Sequence, residues 1–357
     1  MKVLALVPYQ LGRAPGQRYR IEQWAPYLAE AGIELSFSSF SPPALMDLLY
    51  RRGHWLRKTW LMTVAWIRTL GCAFEAAAYD AVFLYREASL VGPAWPERLA
   101  RWRVPHLVYD FDDAVWVPYR SPSNAFLSLL KFPWKTASVC RLASAVIAGN
   151  DHLAEYARRY NRRVHVVPST VSLREYDPRP EASRGGVPVV GWTGSHSSAP
   201  YLGLVIPALR RLRERMAFRL LLVGVDRIDL PGLEAECRPW RPDTEARDLW
   251  DMDVGIMPLP DEPWARGKCG MKLIQYMGVG VPAVASPVGA NRGIVEHEVT
   301  GFLASTEEEW VTSLERLLRD ANLCHVMGGN GRKAVERRFS AEVQAPRVAA
   351  ILRGATP

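Results

Sequence analysis

The sequence predicts an α/β chain of two doubly wound, parallel-sheet domains, and three observations carry that prediction. Short apolar runs bounded by Gly, Pro or Asp alternate with amphipathic helical stretches. The rhythm occurs in both halves, and residues 168–188, rich in Pro, Ser, Arg and Gly, lie between them. Alternating βα units give parallel strands with helices packed on both faces. At 357 residues, 48% of them hydrophobic, the chain exceeds one ordinary domain and can fill two cores.

The strand-like runs are residues 3–7, 81–84, 106–109 and 145–148 in the first half. In the second they are residues 187–191, 220–223, 254–257 and 281–285. Stretches such as 201–215 between them have helical spacing. The domain boundary falls near Pro178, in the aperiodic stretch. This gives a first domain of residues 1–178 and a second of residues 179–339.

Charge separates the halves. Residues 1–170 contain 21 Lys and Arg against 13 Asp and Glu, whereas residues 171–357 contain 24 of each, so the net +8 lies in the first half. A one-sided basic surface favours an anionic partner. Five scattered cysteines, with no CxxC pair, argue against a disulfide framework or a zinc site and fit a reducing cytoplasm. The opening residues read as a buried strand rather than a signal peptide, and the apolar stretches read as too interrupted to span a bilayer.

Most of the chemical signal lies in residues 253–304. Within it, ARGKCGMKLIQYMGVG (residues 265–280) reads as a basic loop, Arg266, Gly267, Lys268, Cys269 and Gly270, opening a helix at Met271 and Lys272. A helix mouth presents amide N–H groups without intrahelical partners, which favours an anion such as a phosphate. Lys268 and Lys272 can neutralise it. A second glycine loop, GWTGS (residues 191–195), follows a strand and offers Thr193, Gly194 and Ser195 to phosphate oxygens.

With GVPAVA (residues 280–285), LVG (222–224) and DVGIMPL (253–259), these segments resemble the donor-binding core of retaining family 4 glycosyltransferases, the glycosyl transferases group 1, of the GT-B fold. The resemblance implies two Rossmann-like domains facing a central cleft. It also implies a closing helix, residues 340–357, that returns to the first domain. The implied activity moves a sugar from an NDP-sugar to a hydroxyl of a saccharide or lipid-linked acceptor, with retention of configuration, without a metal and without a cofactor. It places the nucleoside near Trp240, Arg241, Glu245, Leu273 and Gln275, and the donor diphosphate near Gly12 and Gly16 as well as the two loops above.

Two departures stand out. The family's pair of glutamates, eight positions apart, is replaced by Gly267 and Gln275, so an uncharged amide stands where a carboxylate holds the ribose. The GWTGS loop also lacks the usual Arg and Lys, which leaves Arg266, Lys268 and Lys272 as substitutes.

In the first half, QLGRAPGQRY (residues 10–19) is a glycine loop opening a helix, where Arg18 and Arg20, two residues apart, cannot share one face. Arg86 and Glu87 end one predicted strand and Asp110, Asp112 and Asp113 (DFDD) end the next, at the sheet ends where α/β proteins bind ligands. By the resemblance, Arg86, Asp112 and Asp113 join Lys272 as catalytic candidates, and one of Arg18 and Arg20, together with Glu87 and Asp110, contacts the acceptor. DFDD also reads as the metal-binding D-x-D of the other glycosyltransferase fold.

The stretch that begins at Ala44 and ends at Phe74 interleaves Arg51, Arg52, Arg57, Lys58 and Arg68 with Trp55, Trp60 and Trp66, a composition suited to peripheral attachment on an anionic membrane surface or to a helix covering the sheet. Two other readings stay open. One is a nucleotide-sugar 2-epimerase on the same scaffold; the other is a basic nucleic-acid-binding protein, which a pI near 9.3 allows. The adopted reading has no nucleic-acid partner.

Overall fold

The structure, a computed structural model, describes residues 1–49, 51, 53–118, 132–180 and 186–355; Arg52 lies outside them. It forms two compact units, Met1–Ser169 with Gln344–Pro357, and Thr170–Val343. The unit boundary thus precedes Pro178. Residues 171–179 are packed into the second unit, with Tyr176 buried and the Arg179 amide bonded to the Val279 carbonyl.

Among the described residues, each unit holds one six-stranded parallel sheet. The first runs β2-β1-β3-β4-β5-β6, comprising β1 Lys2–Val7, β2 Glu34–Ser39, β3 Ala81–Tyr85, β4 Leu107–Phe111, β5 Ala145–Ala148 and β6 Val164–Val166. The second runs β12-β11-β10-β7-β8-β9. Its strands are β7 Val189–Thr193, β8 Arg219–Val223, β9 Glu236–Arg238, β10 Val254–Met257, β11 Ala283–Ala285 and β12 Gly301–Leu303.

All eight predicted strands are present. The four that sequence reading missed, β2, β6, β9 and β12, are the four sheet edges. Interior parallel strands are covered on both faces and must be apolar runs, as AVFLY in β3 is, fully buried at every position. Edge strands carry no such demand. ELSFSS in β2 is half-buried and three of its six residues are serines.

The strand orders also locate ligand sites. Ligands bind beyond the carboxyl ends of parallel strands, where the order reverses. In the first sheet that point lies between β1 and β3, and in the second between β7 and β10. The loops leaving those four strands begin near Pro8, Arg86, Gly194 and Pro258.

The closing helix, Ala341–Leu352, crosses the boundary, and from Gln344 onward it belongs to the first unit. There His106 Nε2 lies 3.2 Å from the Ile351 carbonyl, and Arg347 donates to the Val166 carbonyl at 3.2 Å. One sequence expectation fails. The helix at Trp55–Ala78 is long and apolar enough, by length and composition, to cross a membrane. Its charges are too sparse to interrupt it as sequence reading supposed.

Close backbone packing seats the helix Met271–Gly278 on the second sheet. A Cβ on Gly255 would meet the buried Tyr276 ring at 2.3 Å. Gly255→Ala is therefore expected to lower stability by about 2 kcal/mol or more, because neither sheet nor helix can yield. The urea midpoint measures it, and an unchanged midpoint would show that the helix can shift.

Candidate active site

At the reversal point of the second sheet, the two predicted phosphate loops converge. β7 ends at Thr193 and passes through Gly194 into a tight turn, in which the Ser198 amide donates to the Ser195 carbonyl at 2.9 Å. Gly194 is required for closeness. A Cβ there would meet the Trp192 ring at 2.5 Å and Lys272 Cε at 2.8 Å. Lys272 donates to Ser198 Oγ at 3.3 Å, and its Nζ sits 5.4 Å from the centre of the Trp192 ring.

Lys272 comes from the first turn of the helix Met271–Gly278, whose cap is Gly270 in the left-handed region at φ 68°. A Cβ on Gly270 would strike Ile294 at 2.2 Å, so conformation and space both demand glycine. Gly270, lacking a side chain, supplies no cap hydrogen bond of its own. Tyr276, one turn further on, locks helix to loop: its hydroxyl accepts from the Thr193 amide at 2.8 Å and donates to the Ile256 carbonyl at 3.3 Å. At the other end, Arg332 donates to the Gly278 carbonyl, a cation at the negative end of the helix.

Three of the five nucleoside candidates meet on this helix. Glu245 Oε1 accepts from the Trp240 indole at 2.8 Å and from the Gln275 amide at 3.0 Å, and the same amide nitrogen donates to the Tyr176 hydroxyl at 2.9 Å. Glu245 and Gln275 are buried. A carboxylate at position 275 would lie against Glu245, which explains why an amide stands there.

At the reversal point of the first sheet, Arg86 follows β3 in the left-handed region, at φ 55°, which is unusual for a non-glycine residue. Its amide donates to the Asp110 carbonyl at 2.7 Å. Its guanidinium grips Asp112 at 2.6 Å and also Asp113, while the Tyr85 hydroxyl donates to Asp112 at 2.9 Å. Gly16 stands directly over this group. A Cβ on it would be 3.1 Å from both Arg86 Nη2 and Tyr85 Oη. Burial raises the Tyr85 phenol well above its ordinary value, against the pull of Arg86, so it stays a donor. Burial also pushes Asp112 up, yet Arg86 and the hydrogen bonds outweigh it and hold the carboxyl below the usual range.

Known proteins resemble this chain in one segment and in fold. Residues 187–320 match the family model for glycosyl transferases group 1. That segment resembles the glycosyl transferases group 1. Solved structures show the GT-B fold over 99% of the chain: sucrose-phosphate synthase from Thermosynechococcus elongatus is 17% identical with TM-score 0.70, 99% of that chain being covered. HepE from Anabaena, solved with UDP and glucose, is 16% identical with TM-score 0.67, also covered over 99%. WaaG, a glycosyltransferase involved in lipopolysaccharide biosynthesis, is 13% identical with TM-score 0.63, covered over 100%.

Within residues 187–320, not every predicted residue reaches the loops. Arg266 turns to Asp261 at 2.6 Å on an exposed loop, and Lys268 lies 5.5 Å from the Trp264 ring centre. Cys269 is buried, so only its backbone can serve. Leu273 is a correction: its side chain lies in the core and its amide donates to the Gly270 carbonyl, so it cannot line a nucleoside pocket. Arg241 is exposed.

Larger corrections fall in the first unit. Arg20 and Asp110 have fully buried side chains that pair with each other through two contacts, and Arg20 also donates to the Val167 carbonyl. The five-residue π-helix Arg18–Glu22 turns Arg20 inward and leaves Arg18 partly exposed. Glu87 pairs with Lys135 at 3.0 Å. Arg20 and Asp110 are therefore structural charges in this structure, not acceptor contacts, whereas Glu87 keeps 31% of its side chain exposed. The D-x-D reading of DFDD loses ground equally, since guanidinium groups hold Asp110, Asp112 and Asp113. Gly12 is pinned by Glu22, which accepts from its amide at 2.8 Å. Tyr85, Ser198, Tyr176 and Glu22 were missed, because nothing in local spacing shows that they meet these groups.

Two tests follow from the charges. Arg20→Ala should lower stability by about 3–5 kcal/mol in urea unfolding, since it strands a buried carboxylate; an altered acceptor KM at unchanged stability would return Arg20 to the site. Asp112→Asn removes a carboxyl whose folded value lies below its unfolded one, so that stabilisation is present above about pH 4 and lost as pH falls through the folded value. The stability gap between wild type and Asp112→Asn should be about 2 kcal/mol at pH 7 and shrink at pH 3. A gap independent of pH would mean that Asp112 acts by shape alone.

Proposed function

We propose that this chain moves a sugar from a nucleoside diphosphate sugar to an acceptor hydroxyl, with retention of anomeric configuration, without a metal and in the cytoplasm. The observation that carries the reading is Lys272, placed by the helix mouth directly against the GWTGS loop at the sheet's reversal point. That arrangement suits a diphosphate: helix amides and one ammonium face a glycine loop close enough for backbone contact.

In the proposed reaction the acceptor oxygen forms a bond to the anomeric carbon as the carbon–phosphate-oxygen bond breaks. The departing phosphate oxygen takes the acceptor proton on the same face, so no protein nucleophile is needed. The negative charge that grows on the diphosphate falls where Lys272 and the amides stand. The Glu245–Gln275–Trp240 network borders the same helix and is the proposed nucleoside end. HepE was solved with UDP-glucose, which makes UDP-glucose the first donor to try. Arg86, Asp112 and Asp113 are the proposed groups for positioning the transferred sugar and a saccharide or lipid-linked acceptor.

Thermal-shift screening against UDP, GDP, ADP, CDP and dTDP sugars should find one that stabilises the protein, and nucleotide release should persist in EDTA. Lys272→Ala should lower kcat/KM for that donor by about a hundredfold or more. Stabilisation by none of the five, or full activity of Lys272→Ala, would remove the donor site from this place.

A further inference from the structure

The helix Trp55–Phe74 buries one stripe, Met62, Ala65 and Ala73 together with Lys58 and Thr69, and exposes an apolar one. Met62, Ala65 and Ala73 face inward, with Met62 and Ala65 packed among Phe40, Leu45, Leu49 and Leu90. Leu56, Trp60, Val64, Ile67 and Phe74 recur at helical spacing along the opposite face. Leu56 is 90% exposed, Trp60 65% and Ile67 62%. The neighbouring helix, Trp95–Arg103, extends this face: Trp102 is 73% exposed, and Arg103 stacks 4.3 Å from the Phe74 ring centre.

Charge says what covers it. The helix Trp55–Phe74 contains no Asp or Glu, the exposed Glu75 standing just past its end; Arg57 flanks its exposed stripe, and Arg68 beside it donates to the Ser39 and Phe40 carbonyls. On Trp95–Arg103 the acid, Glu97, is fully buried and Arg98 is exposed. The geometry points to this ridge as a docking face for an anionic lipid bilayer, with the apolar stripe in the interface and the arginines at headgroup level. A second copy of the chain would set these cations against themselves. Spanning is excluded by the inward stripe, which belongs to the unit's own core. The inference concerns the first unit alone and does not depend on the donor site.

Flotation of the full chain with vesicles tests it. Binding to phosphatidylcholine containing about one third phosphatidylglycerol should exceed binding to phosphatidylcholine alone at least tenfold, roughly the effect of two or more arginines at the surface. The double variant Trp60→Glu with Ile67→Glu should lose about tenfold or more in binding while its urea midpoint stays unchanged, since both positions are exposed. Arg57→Gln should cost about fivefold, on the anionic vesicles only. Lipids brominated near the headgroup should quench tryptophan emission, and less so in Trp60→Phe. Equal binding to both vesicle types, or an unaffected double variant, would overturn the inference. So would a variant whose only change is a drop from dimer to monomer in solution, which would make the ridge a self-interface.

Discussion

The second unit depends on how closely the helix Met271–Gly278 approaches its sheet. Gly255 leaves room for the Tyr276 ring, and the Tyr276 hydroxyl then reaches both the Thr193 amide and the Ile256 carbonyl. A further close contact, Gly224 against the Gly194 carbonyl, fixes the loop from its other side, since a Cβ there would sit 1.9 Å from that oxygen. These contacts hold loop and helix mouth at one separation, which Lys272 bridges. An anion site built of amides works only at fixed distance, because amides on a shifting loop lose the pre-orientation that makes them effective. The glycines therefore do more here than permit turns.

The first unit organises charge instead. Its strand ends carry Arg86 with Asp112 and Asp113, and Arg20 with Asp110, in pairs buried or nearly so. A buried ion pair adds little net stability, but removing one member leaves an uncompensated charge. Such pairs specify geometry more than they stabilise. Arg20 and Asp110 join the π-helix Arg18–Glu22 to β4, and Arg86 and Asp112 lie beneath Gly16 at the start of the same segment. The glycine loop is thereby referenced to the sheet at two points.

What was legible in the sequence follows from the same physics. Interior strands were readable because burial on both faces forces apolar runs; the four edges were not, because β2 and β9 carry Ser, Glu and Arg, and β6, β9 and β12 are only three residues long. The loop before Met271 was readable because a glycine cap followed by a lysine is a local pattern. The roles of Arg20 and Asp110 were not. Both are charged residues beside plausible sites, and only the π-turn decides that Arg20 points inward. Tyr176 and Glu245 meet Gln275 across 99 and 30 positions of sequence, beyond any local pattern.

That last group also answers the puzzle of the missing glutamate. If position 275 carried a carboxylate, it would face Glu245 at hydrogen-bond distance in a buried setting, and one of the two would have to hold a proton. Gln275 removes the conflict by donating where a carboxylate would repel. A carboxyl group still stands at this end of the helix, one side chain away at Glu245, held from the other side by the Trp240 indole. The substitution and its neighbours form one self-consistent arrangement. The position of the carboxyl group, more than its loss, distinguishes this chain from the pattern it resembles.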